Sequence, residues 1–165
     1  MAALRQCVRR ELLAEGRKHL NTRLLQQIPS IGPIRAVLLL ALLQTPNRFR
    51  TKRQLWAYCG LALRTYTSGE YRFVSGQLKR SKKVLAVRGL NLNHNHDLKN
   101  IFKGAATRAA STAGPFQDFY QACVARGVKP HLARLTLARK IAAVTLLVWK
   151  KGVGFDAEHL KQQAA

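Results

Sequence analysis

Ile28-Pro29-Ser30-Ile31-Gly32-Pro33 runs without a break into the apolar stretch Ala36 to Leu43. A proline-bounded turn that opens straight into a helix leaves the first backbone N–H groups without intrahelical partners, all pointing outward together. Such a corner suits a phosphate. Pro33 fits the first helical turn, where its missing N–H costs nothing, and Gly32 is read as the residue free to take a positive φ in the turn. The pattern predicts a helix-hairpin-helix-like element in which Ile31 and Gly32 approach nucleic-acid backbone without reading bases. An ordinary turn between two core helices is the competing reading of the same residues.

Upstream of this turn, Leu4, Val8, Leu12, Leu20, Leu24 and Ile28 recur at helical spacing among basic residues, predicting an amphipathic helix over 3–27 with a candidate break near Gly16. Downstream, Thr45-Pro46-Asn47 ends a helix over 33–44. Thr51-Lys52-Arg53-Gln54 has the form of a capping box, opening a short helix that stops at Gly60. Further helices are expected at 96–112, 115–126 and 131–151, with a last short one from Asp156. The organisation read from these elements is an N-terminal helical arm over 1–27, one domain over 28–155 and a tail over 156–165. The fold class expected is mainly α, with a helix-hairpin-helix-like element and a small β-hairpin.

A small β-hairpin or an extended loop is read between Gly60 and Asn91, where helical spacing gives way to short alternation. Leu63 to Thr67 and Tyr71 to Val74 are β-prone, with Ser68-Gly69 breaking the run between them. Lys79, Arg80, Lys82 and Lys83 follow closely, so a basic cluster is expected beside the Ser68-Gly69 turn.

The charge balance sets the partner class. Lys and Arg number 29 against 7 Asp and Glu, a formal net charge of +22. A field of that sign seeks a polyanion, and DNA or another nucleic acid is the leading candidate. The longest apolar stretches, Ala36 to Leu43 and Ile141 to Trp149, are too short for the roughly 20 residues that span a bilayer, and no membrane partner is expected. The 47% hydrophobic content supports a core and argues against a disordered chain. Cys7, Cys59 and Cys123 are far apart, without a Cys-x-x-Cys pair, and read as reduced, packed thiols. The N-terminus has no uninterrupted hydrophobic signal segment, which makes a cytoplasmic, nucleoid-associated location the expectation.

Several other residues admit two readings. His94 and His96 are interleaved with Asn93 and Asn95; two histidines without a third ligand favour a polar loop and helix cap over a metal site, so no metal ligands are assigned. Trp56, Tyr58 and Trp149 are able to stack on bases, yet their helical surroundings favour core packing. Arg134, Arg139, Lys140, Lys150 and Lys151 form either a second phosphate-tracking stripe or a solvated helix face.

Taken in order, Ile28 to Pro33, Arg48-Phe49, Gln54 to Leu61 and Tyr66-Thr67-Ser68-Gly69 resemble the C-terminal domain of the IS110/IS116/IS902 transposase family. The resemblance continues through Asn95 to Ala110 and Leu137 to Lys140. It implies a DNA recombinase in which Ser68 is the nucleophile, attacking a phosphodiester to form a covalent phosphoserine link. A serine hydroxyl needs a base and nearby cations for such a step. Arg64, Arg72, Lys79 and Arg80 are the cations at hand, and Glu70 shares a face with Ser68 if the segment is extended. Some family members also use a structured guide RNA, which the resemblance extends to the intact enzyme as an expected partner.

Two departures shape the expectation. Ser30 stands where helix-hairpin-helix elements usually carry Gly. The acidic residues Glu11, Glu15, Glu70, Asp97, Asp118, Asp156 and Glu158 form no paired cluster like that of the family's RuvC-like domain. The chain is therefore expected to be a truncated or separately encoded C-terminal part, with no cofactor of its own and with Mg²⁺ belonging to the missing domain. Full-length transposase subunits are the partners expected for the 3–27 helix. The alternatives are a non-catalytic basic nucleic-acid-binding module and an inactive remnant.

Overall fold

The computed structural model describes residues 2–67, 71–80 and 84–161. Helices α1 (Ala2–Arg17), α2 (Leu20–Gln26) and α3 (Pro33–Leu43) are followed by a 3₁₀ turn at Pro46–Arg48 and by α4 (Lys52–Tyr58). Strands β1 (Leu63–Thr67), β2 (Tyr71–Val74), β3 (Gln77–Arg80) and β4 (Val84–Leu90) come next, then α5 (His96–Ser111), α6 (Pro115–Ala125), α7 (Pro130–Lys151) and α8 (Glu158–Lys161). The fold is mainly α with a small antiparallel hairpin, as the sequence predicts.

Helix α7 is the axis of the core. Leu137, Ala138, Ile141, Ala142, Val144 and Val148 are all fully buried along it, a pattern too wide for a surface helix and suited to one wrapped by others. It packs against α2, α4, α5 and α6, and it stops at Gly152, whose φ of 64° is the left-handed conformation that ends helices. Local capping fixes the shorter elements around it. The Thr51 hydroxyl accepts from the Gln54 N–H while the Gln54 side chain accepts from the Thr51 N–H, completing the capping box of α4. Asn95 Oδ1 accepts from the Leu98 N–H at 3.0 Å and starts α5.

The N-terminal helix breaks at Lys18 and His19, near Gly16 as the sequence predicts, while Gly16 itself lies inside α1. Gly16 is buried because α1 crosses α3 there: a Cβ on Gly16 would overlap Val37 Cγ2. Close approach of two helices, not a helix break, explains this glycine.

The β segment also differs from expectation. Leu63 to Thr67 does not pair with Tyr71 to Val74. Instead β1 pairs antiparallel with β4, from Leu63 opposite Leu90 to Thr67 opposite Val84. Strand β2 pairs with β3, from Tyr71 opposite Arg80 to Val74 opposite Gln77. The reversal comes at Ser75-Gly76, with φ of 51° and 77°, positive at both central residues as in a type I′ turn. That turn matches the twist of its flanking strands, so a tight hairpin forms there; Ser68-Gly69 lies outside the described residues.

Gly16→Ala is expected to destabilise the chain by about 1–3 kcal/mol, since the added methyl must push α1 and α3 apart. A thermal melt of the variant beside the parent checks this; an unchanged midpoint would mean that the two helices do not meet at Gly16.

Candidate nucleic-acid interface

The α2–α3 turn is anchored from below by Ile28 and Ile31, only 1% and 2% exposed. The Ile31 N–H donates to the Ile28 carbonyl at 3.0 Å, so both the side chain and the amide of Ile31 are used internally. Ser30 carries the positive φ of this turn, 68°, while Gly32 is extended with φ −76° and ψ 175°. The left-handed position therefore falls on Ser30, not on Gly32. The Arg35 guanidinium donates to the Ser30 carbonyl at 3.0 Å and holds the turn from the helix side.

Helix α3 begins at this turn without a side-chain cap; its first intrahelical bond runs from the Ala36 N–H to the Gly32 carbonyl, leaving the Ile34 and Arg35 amides outside the ladder. A cleft of about 470 Å³ lies beside the turn, lined by Ser30, Gly32 and Arg35 on one side and by Arg108, Thr112 and Gly114 on the other. On the α1 side a second cleft, of about 340 Å³, shares Gly32 and Arg35 and adds Arg9. Arg9, Arg35 and Arg108 thus line the two clefts beside one helix N-terminus, a combination that attracts an anion. Sequence reasoning did not single out Arg9, Arg35 or Arg108. Arg35 had a local signal, three residues into a helix beginning at Gly32-Pro33; the other two are brought to the turn only by packing.

The second candidate group lies on the β segment. Arg64 stands in β1, Arg72 in β2 and Arg80 in β3, and Lys79 is exposed in β3 directly opposite Arg72 in the register. Ser68, Lys82 and Lys83 lie outside the described residues, as does Glu70.

Part of the α7 stripe serves the fold. Arg139 Nε donates to the Leu61 carbonyl at 2.6 Å, and burial pushes its guanidinium pKa down. Lys140 is 8% exposed, with its ammonium on the Leu160 carbonyl, and burial, then the nearby charge of Lys52, lowers its pKa. Lys150 donates to the Phe49 carbonyl. Arg134 and Lys151 are exposed. Arg139, Lys140 and Lys150 thus donate to main-chain carbonyls of neighbouring segments, while Lys150, like Arg134 and Lys151, remains exposed.

The aromatic and sulfur side chains follow suit. Trp149 is 6% exposed, Trp56 Nε1 donates to the Arg139 carbonyl at 2.9 Å, and Tyr58 packs on Phe49 with ring centroids 5.4 Å apart. Cys59 and Cys123 are buried, and burial pushes the Cys59 thiol up to about 12. His94 and His96 stack with centroids 4.4 Å apart, next to the α5 cap. Among the described residues no three His, Cys, Asp or Glu side chains come together to hold a metal ion.

A family model described as the transposase IS116/IS110/IS902 family matches residues 22–121. The chain belongs to that family. The matched span runs from α2 into α6 and includes the Arg35 turn and all four strands, whereas α7, with the Leu137 to Lys140 stretch, lies beyond it. A search of curated proteins finds no match. No helix among the described residues is long and apolar enough to cross a membrane.

Two substitutions check these assignments in the transposase-family chain. Ser30→Gly is expected to raise stability by about 1 kcal/mol, because glycine adopts the left-handed conformation without strain; an unchanged or lowered melting midpoint counts against a strained turn. Arg139→Ala is expected to cost about 1.5–3 kcal/mol, the worth of a hydrogen bond from a charged donor, while leaving the salt dependence of DNA binding unchanged. A shallower salt slope in that variant would return Arg139 to the nucleic-acid interface.

Proposed function

We propose that this chain is the DNA-binding C-terminal portion of a transposase, in which Ser68 attacks a DNA phosphodiester during transposition. The observation that carries the reading is the family match over residues 22–121, and the charge of +22 supports it by making a polyanion the natural partner. Two regions support the DNA-binding part. At the α2–α3 corner, Gly32 and the first amides of α3 meet a phosphate in the manner of a helix-hairpin-helix element, with Arg9, Arg35 and Arg108 around it. On the β segment, Arg64, Arg72, Lys79 and Arg80, with Lys82 and Lys83, neutralise the backbone near the serine.

In the chemical step the Ser68 oxygen bonds to phosphorus as the bond from phosphorus to the departing sugar oxygen breaks. The hydroxyl proton passes to a base, and the departing oxygen takes one up. Glu70 is the carboxylate closest in sequence for that transfer. The cations stabilise the extra negative charge of the pentacoordinate phosphate, where bidentate Arg pairing is the strongest available. Mg²⁺, a RuvC-like domain and a guide RNA complete the reaction, and the protein works at the nucleoid with full-length transposase subunits.

The test is a denaturing gel for a covalent protein–DNA adduct, with element-end DNA and Mg²⁺, in the presence and absence of an added RuvC-like domain and guide RNA. An adduct is expected in the supplemented reaction, and Ser68→Ala is expected to abolish it while leaving binding nearly intact. Lys79→Glu is expected to weaken binding to every sequence and to make the salt slope shallower by about 0.9 per phosphate that is no longer neutralised. Salt-dependent binding without an adduct, unchanged by Ser68→Ala, would leave a non-catalytic nucleic-acid-binding module.

A further inference from the structure

Hairpin β2–β3 displays an apolar set that the helical core does not use. Phe73 is 75% exposed, Tyr71 60% and Leu78 57%. Phe73 stands opposite Leu78 in the register, and Tyr71 is two residues from Phe73, so the three share one face of the hairpin. On the other face Lys79 stands opposite Arg72, and residues 71–80 contain no acidic residue. The type I′ turn at Ser75-Gly76 closes the hairpin at its tip.

Charge selects what covers this face. A second copy of a chain with net charge +22 would set basic residues against basic residues, whereas a polyanion brings the complementary sign. Paired duplex DNA keeps its base faces inside the stack, and a ring that wedges between paired steps must first unstack them at a free-energy cost, so exposed aromatic rings stack most favourably where bases are already unpaired. We infer that the β2–β3 hairpin is a base-stacking element for opened DNA, in which Tyr71 and Phe73 stack on unpaired bases while the basic positions 72, 79 and 80 neutralise the adjoining phosphates. This rests on the DNA-binding reading above and deepens it.

The full chain is titrated, at several salt concentrations, with a fully paired duplex and with the same duplex carrying a central unpaired bubble that contains 2-aminopurine. The chain is expected to bind the bubble at least about fivefold more tightly than the duplex, the least that one stacked base supplies, and to quench the 2-aminopurine fluorescence. Phe73→Ala is expected to remove both the preference and the quenching, with duplex affinity and salt slope unchanged. Phe73→Trp is expected to keep both, which separates loss of stacking from loss of folding, and Phe73→Leu, apolar but without a π face, is expected to lose them. Equal affinity of the parent chain for both DNAs, or retention of preference and quenching in Phe73→Ala or Phe73→Leu, overturns the inference. So does concentration-dependent self-association that Phe73→Ala abolishes. Salt-dependent duplex binding without a bubble preference would sink the stacking role alone; failure to bind either DNA would sink the DNA-binding reading with it.

Discussion

A reciprocal pair of hydrogen bonds between α7 and the end of α4 ties the β segment to the core. Trp56 Nε1 donates to the Arg139 carbonyl, and Arg139 Nε donates to the Leu61 carbonyl. The Leu61 and Ala62 amides both return to the Trp56 carbonyl, at 2.8 and 3.1 Å, and the Asn91 amide donates to the Ala62 carbonyl at 3.1 Å. The two ends of the four-strand segment are thereby held together at one point beside α7. Each polar group in the pair has left water, so the unit is stable only while both partners are present. Without it, Leu63 and Leu90 would have no fixed place from which to begin their ladder.

The same economy divides the cations of this chain into two populations. With 29 basic and 7 acidic side chains, one-for-one pairing is impossible, and mutual repulsion works against a compact state. Part of the excess is placed where carbonyl oxygens and aromatic faces receive it: Lys140 on the Leu160 carbonyl and near the Phe119 ring, Lys150 on the Phe49 carbonyl, Arg48 against Tyr58. Another part faces solvent around the α2–α3 turn and on β3, where Arg9, Arg108 and Lys79 are exposed. Basic residues thus serve opposite ends. Lys79 faces solvent, whereas Lys140, predicted as part of a stripe, is enclosed.

Much of the helical framework was legible because its signals are local. The Thr51 to Gln54 capping box, the Asn95 cap and the prolines at 33, 115 and 130 act within one turn of the chain, and the helices they announce begin where those residues stand. The turn between α2 and α3 was legible as a turn but not in its conformation: Ser30 rather than Gly32 takes the positive φ, because Gly32 is already committed to the extended geometry that precedes α3. Strand pairing was the least legible. Leu63 to Thr67 carries no local mark that its partner is Val84 to Leu90 rather than the nearer Tyr71 to Val74, and only the type I′ turn at Ser75-Gly76 makes the nearer pairing inaccessible.

By itself, then, the sequence determined the fold class, the helix starts, the excess positive charge and the family, since each depends on residue type and short-range order along the chain. The tertiary structure alone decided which cations are enclosed, which strands pair, and which of the arginines gather at the α2–α3 turn. Those outcomes depend on contacts between residues far apart in the chain. Arg139 meets Leu61 and Arg108 approaches Ser30 only after α7 and α5 have packed, and a guanidinium's sequence neighbours do not reveal whether a carbonyl or solvent will face it.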